Sequence, residues 1–152
     1  MAMATIVLDN LAKADALASG DRSFHVIGSG MSVSVGDFIH FAYTDNGVAV
    51  KHPVSSMIYV ITHLDQINQF TAIINVKPVI SWDSHLKRTL DSARIHNDTC
   101  SIVFYGSGEH KQYRVKSYNN GGVILTDEHM QEIHREFETI AEVSLLHSGV
   151  VL

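Results

Sequence analysis

Along the first half of the chain, apolar and polar residues fall into short alternating blocks, and each block predicts a strand or a small helix. Residues 5–8 read as an opening strand. Asp9 or Asn10 then caps a helix running to residue 18, in which Leu11, Ala14, Leu17 and Ala18 recur at helical spacing and Gly20 ends it. Ser23–Ile27 reads as a strand, Gly28-Ser29-Gly30 as a loop, and residues 37–44 as a strand in which Phe38, His40 and Ala42 alternate with Ile39, Phe41 and Tyr43. Asp45-Asn46-Gly47 is the strongest local signal, because Asn-Gly accepts the positive φ angles of the hairpin turn that matches strand twist. Its second arm, residues 48–51, is cut short by Pro53, which has no N–H for a ladder hydrogen bond. Residues 57–62 and 70–76 supply two further strands across the polar segment 63–69.

Pro78 marks the expected boundary between a module of residues 1–78 and one of residues 79–152. Ser81 caps a predicted helix over 82–95, with Trp82, Leu86, Leu90 and Ala93 on one face and Asp83, Lys87, Arg88, Asp91 and Arg94 largely outside. Strands follow at 101–105, 112–118 and 123–125, the last two joined by Asn119-Asn120-Gly121-Gly122, a second hairpin signal. Thr126 caps a second predicted helix, residues 127–141, whose Met130, Ile133, Phe137, Ile140 and Ala141 form an apolar stripe and whose acidic first turn suits the helix dipole. Residues 143–146 read as a closing strand. The pattern is α+β, a sheet module followed by a helix–hairpin–helix module.

A composition of 45% hydrophobic and 18% charged residues lies in the globular range, so a packed core is expected. A single cysteine, Cys100, excludes an intrachain disulfide and a metal site of paired thiolates. With no basic segment at the start and an apolar run broken at Asp9, the expectation is a cytoplasmic protein without a membrane partner. A net charge of -5 argues against a broad footprint for duplex DNA, but the charge is uneven. Lys87, Arg88, Arg94, Lys111, Arg114 and Lys116 crowd the middle of the chain, so a polyanion would meet that region first.

The order of elements around residues 19–26, the Val35-Gly36-Asp37 opening of a strand, and the later Met57-Ile58-Tyr59-Val60-Ile61 and Ala72-Ile73-Ile74-Asn75-Val76 runs resemble the ASCH domains of the PUA-like superfamily. The small, phage-type members are closest in pattern, and the resemblance covers residues 8–78. It implies a small β-barrel with a flanking helix, and a binder of RNA or of a nucleotide-like ligand in the cytoplasm, the host's if phage-encoded. In that family a Gly is followed at fixed spacing by a Lys, a Glu and an Arg lining a cleft. Gly20, Arg22, His25 and Ile27 stand at those positions, so the resemblance implies a ligand pocket at Gly20, Arg22 and His25. His25 is no permanent carboxylate and Ile27 carries no charge, which speaks against the amide hydrolysis of some relatives.

The ten histidines do not have metal-ligand spacing: His129 and His134 are five apart, and no His-Glu-x-x-His run occurs, so no metal or cofactor is expected. His40, between Ile39 and Phe41, reads as a half-buried sheet residue. Gly106-Ser107-Gly108 lacks the spacing of a nucleophile elbow. Strand alternation places Gln112, Arg114, Lys116 and Tyr118 on one face, a surface suited to stacking a base and contacting phosphates of single-stranded RNA, with Lys87, Arg88 and Lys111 adding charge. The leading expectation is therefore a nucleic-acid or nucleotide binder. Two alternatives stand beside it: a phage-type accessory protein that blocks a host protein through its acidic helix, and a small amidohydrolase using Arg22 with His25.

Overall fold

The computed structural model describes residues 3–27 and 33–145; the backbone of 25–27 is included but not the side chains. The expected Gly28-Ser29-Gly30 loop and residue 146 lie outside the described residues. Eleven strands and two α-helices occur among them, and no helix there is long and apolar enough to cross a membrane. The chain groups into two compact units: residues up to Tyr43 with His52–Trp82, and Thr44–Lys51 with the residues from Asp83 onward.

In the first unit, β1 (Met3–Leu8) is followed by α1 (Leu11–Ser19), β2 (Ser23–Ile27), β3 (Phe38–Asp45) and, beyond the short β4 (Val48–Ala49) that belongs to the second unit, by β5 (Met57–Gln66) and β6 (Thr71–Ser81). Both ends of α1 follow the local chemistry: the Asn10 side chain accepts from Lys13 N–H, and Gly20, at φ 119°, donates to the last-turn carbonyls of Ala16 and Leu17. Before β5, a 3-10 turn (Pro53–Ser56) is held by His52, whose Nδ1 accepts from Val54 N–H and whose Nε2 meets Asp15 of α1 at 2.7 Å. The sheet order is β1-β3-β5-β6-β2, with β1 parallel to β3 and the other pairs antiparallel.

That order is open, so the expected barrel does not form. The reason lies in α1, whose buried Ala14 and Leu17 pack with Ile6, Leu8, Phe24, Ile39, Phe41 and Tyr59. A helix already covers the apolar face, and the sheet's two ends have little left to bury against one another. Pro78 sits inside β6 rather than between elements. It is opposite Tyr59, and an adjacent register shift, which leaves Val79 without a partner, absorbs the missing N–H.

In the second unit, α2 (Trp82–His96) leads into β7 (Thr99–Phe104), β8 (Lys111–Asn119), β9 (Gly122–Thr126), β10 (Glu132–Glu136) and, after a 3-10 turn (Phe137–Thr139), β11 (Ile140–Leu145). The strands form an antiparallel sheet of order β10-β9-β8-β7-β11. It is strongly curled: the Arg135 guanidinium of β10 lies 5.3 Å from the Phe104 ring of β7, although β9 and β8 separate those strands in the sheet. The Asn46-Gly47 turn has the positive φ angles its sequence demands, 52° and 79°. Beyond it, Ala49 exchanges backbone hydrogen bonds with the loop after β7, accepting from Gly106 N–H and donating to Ser107 C=O.

The second predicted helix, over 127–141, is absent, and the helix–hairpin–helix arrangement with it. Asp127 Oδ1 accepts from the N–H groups of His129 and Gln131, Met130 takes a left-handed φ of 62° and stands 80% exposed, and the chain turns back to pair with β9. The Asp side chain that caps a helix equally caps this turn. Buried Val123 and Leu125 of β9 offer a ladder that outweighs helix propensity in the facing segment.

Candidate functional site

Two of the positions implied by the family resemblance, Gly20 and Arg22, are occupied by structural interactions. Gly20 terminates α1, and Arg22 Nη1 donates to Leu17 C=O at 3.2 Å, where a cation complements the helix's negative end. The same guanidinium lies 5.7 Å from the centre of the Tyr59 ring. His25 lies in β2 opposite Ile73, and its side chain lies outside the described residues.

The predicted cationic face of β8 is divided by a bulge. Register with β9 shifts between Val115 and Ser117, so that Tyr118 faces buried Val123 instead of sharing a face with Arg114 and Lys116. Tyr118 O–H donates to Asp91 of α2 and its ring sits under the Arg94 guanidinium; burial first, then this hydrogen bond, hold the phenol's pKa well above the ordinary tyrosine value. A base cannot stack there while α2 is in place. Arg114 donates to Asn97 C=O at 2.9 Å, and Lys116 is paired with Glu132 of β10. Lys87 stands over the Phe137 ring, while Arg88, exposed on α2, together with burial lowers the pKa of His85, burial being the larger cause. Arg114 and Lys116 are thus engaged by a carbonyl and an acid, and Lys87 by a ring. His40, expected to be half-buried, is fully buried, stacked on Trp82 at 4.0 Å with Nε2 3.0 Å from Ser55 C=O.

A different concavity gathers polar side chains: a groove of about 530 Å³ where the β9–β10 turn faces the start of β8. It is lined by His110, Lys111, Gln112 and Tyr113 around the start of β8, by Asp127, Glu128 and His129 of the turn, and by Ile133 and Arg135 of β10. Its volume falls in the range of small-ligand sites. Arg135 lies over the Phe104 ring and donates to His134 C=O, Lys111 is paired with Glu109 at 3.7 Å, and Asp127 accepts from the turn's backbone N–H groups, so the lining carries two cations, Lys111 and Arg135, alongside two acids, Asp127 and Glu128. Of the residues of the predicted surface, Lys111 and Gln112 line this groove. Tyr113 comes from the segment read as a strand, and the remaining members were missed because they come from segments read as a loop and as a helix. The His110-Lys111-Gln112 run is the one local hint.

No family model, curated protein or solved structure matches this chain. Among the described residues no group of three or more His, Cys, Asp and Glu is arranged to hold a metal ion.

Behind the groove, Glu142 of β11 has its carboxylate 4.0 Å from His110 Nε2 and a side chain 17% exposed. Burial raises its pKa above 4.5, and His110 offsets this only in part. The fold therefore favours the protonated carboxyl. The stability this contributes is complete below the unfolded value and is lost as pH rises through the raised one. Glu142→Gln is expected to remove that loss, so its advantage in urea midpoint over the parent should grow between about pH 4 and about pH 7. A constant difference across that window would refute the burial account.

Proposed function

We propose that this chain is a binding protein of ASCH-like type that recognises single-stranded RNA or a nucleotide-like ligand, and that the groove beside β8 is its ligand site. The groove carries the reading: it places Lys111 and Arg135 with the hydrogen-bonding groups of His110, Gln112 and His129 around a space large enough for a nucleotide. Lys111→Ala combined with Arg135→Ala should weaken binding of single-stranded RNA and reduce the slope of log affinity against log salt by about one for each phosphate contact removed. Arg114→Ala with Lys116→Ala should have the smaller effect, since those cations lie outside the groove lining. An unchanged salt slope in the groove variant removes the assignment.

A second reading has an observation of its own. The acidic segment expected as a helix instead forms β10, the last strand in its sheet's order, with Glu132, His134 and Glu136 exposed along it. A strand at a sheet edge can pair with an extended segment of another protein. This suits an accessory protein that blocks a host factor, and undetectable RNA binding at low salt favours it. The amidohydrolase alternative would require Arg22 to leave the Leu17 carbonyl and the Tyr59 ring.

A further inference from the structure

β10 ends its sheet's order, and the hydrogen-bond pattern decides which of its backbone groups are spare. Asp127 N–H donates to Gln131 C=O at 3.0 Å, and Phe137 N–H donates to Gly121 C=O at 3.3 Å. Bonded and non-bonded pairs alternate along an antiparallel ladder, and the register between these two points is unbroken. Ile133 and Arg135 therefore belong to the pairs bonded to β9, and the N–H and C=O groups of Glu132, His134 and Glu136 are directed away from the sheet. Two of these outward carbonyls are partly used, His134 C=O by Arg135 Nη1 at 3.0 Å and Glu136 C=O by Thr139 Oγ1 at 2.7 Å. A carbonyl oxygen has a second lone pair, and the three outward N–H groups have no acceptor among the described residues.

At one end of this edge lies a second hollow. Glu136 lines a space of about 360 Å³ together with Asp83, Leu86 and Lys87 of α2 and with Phe137 and Glu138 of the 3-10 turn. Lys87 stands 5.4 Å from the centre of the Phe137 ring, and three carboxylates against this one ammonium leave the lining negative. Glu132, at the other end of the strand, is already paired with Lys116. Pairing β10 with β10 of a second copy, antiparallel about His134, would set Glu132 opposite Glu136 twice, and like charges directly opposite destabilise a strand pair. The edge is unsuited to itself and suited to a cationic chain.

We propose that β10 takes an extended segment of a different protein as a further strand of its sheet, and that this segment carries a Lys or Arg whose side chain enters the hollow beside Glu136. The inference rests on the reading of β10 as a docking edge and adds what that edge selects. Main-chain hydrogen bonds to Glu132, His134 and Glu136 supply affinity whatever the sequence, and the hollow supplies the choice. An ammonium or guanidinium there meets Asp83, Glu136 and Glu138, while Leu86 and Phe137 offer apolar surface to its aliphatic stem.

The test uses the full chain and three capped peptides of alternating Thr and Val with Arg, Gln or Glu at the centre. With the Arg peptide, amide exchange should slow at Glu132, His134 and Glu136 and change little at Ile133 and Arg135, whose N–H groups are already bonded. Its affinity at low salt should exceed that of the Gln peptide by about fivefold, and that of the Glu peptide by more, with the gap narrowing as salt is raised. Glu136→Gln combined with Glu138→Gln should bring the Arg and Gln peptides to within about twofold of each other and leave the Gln peptide's own affinity unchanged. Both side chains are exposed, so the fold should persist, which an unchanged urea midpoint checks. Equal protection of the three amides by all three peptides overturns the charge selection and leaves the docking edge standing. Protection by none of them overturns both. An Arg preference that survives the paired substitution puts the cation elsewhere and also overturns the proposal.

Discussion

Phe41→Ala is expected to destabilise the first unit by about 3–5 kcal/mol, the range for removing a buried aromatic ring. Phe41 is wholly buried in β3, edge-on to Phe24 at 5.4 Å and to Tyr59 at 5.3 Å. It joins residues from β2, β3 and β5, so the hole left behind would have walls on three strands of one sheet, two of them at separate places in its order, and cannot easily collapse. A urea titration should show a midpoint lowered to match, while Phe70→Ala in the same unit, at a site 50% exposed, should stay within about 0.5 kcal/mol of the parent. Similar midpoints for the two variants would mean that the Phe24–Phe41–Tyr59 cluster is not the centre of the core.

Gly108→Ala should cost about 3 kcal/mol, at the upper end for overpacking, because an added Cβ would lie 2.2 Å from the Gly47 carbonyl oxygen. Neither partner is a side chain that can swing away. Relief requires moving the Asn46-Gly47 turn or the loop after β7, and these are joined by the two backbone hydrogen bonds at Ala49. Amide exchange at Ala49 and Gly106 should accelerate well beyond that at Val123 in β9. Gly106→Ala separates the causes: its Cβ would point into open space, so only the φ of 87° penalises it, by about 1–2 kcal/mol. Equal exchange rates in the two variants would contradict the clash.

The outcome at the candidate site follows the same division between near and far contacts. Residues 127–141 carry a capping Asp and an apolar stripe at helical spacing, yet the stripe is shared out: Met130 to solvent, Ile133 to the groove lining, Ile140 and Ala141 to the buried start of β11. Spacing of three and four residues is met as readily by a turn, a short strand and a 3-10 turn as by a helix. Which one forms depends on whether β9 is available to pair. Likewise, strict alternation puts Tyr118 beside Lys116 only if β8 is regular. The extra residue at the bulge sends the phenol to Asp91 and removes the one aromatic ring from the presumed nucleic-acid face.

Features carried by a few adjacent residues were legible from the amino acids alone: the Asn10 cap and Gly20 stop of α1, the Asn46-Gly47 turn, the extent of α2 and the positions of most strands. Their causes are backbone conformations and hydrogen bonds that close within one turn, so no distant partner is consulted. The open order of the first sheet, the β9–β10 pairing, the bulge at Lys116 and the convergence of His110, His129 and Arg135 on one groove belong to the folded chain. Each depends on segments well apart in sequence finding one another, and burial of Val123, Leu125 and their neighbours, rather than any local preference, selects among the pairings that the same residues permit.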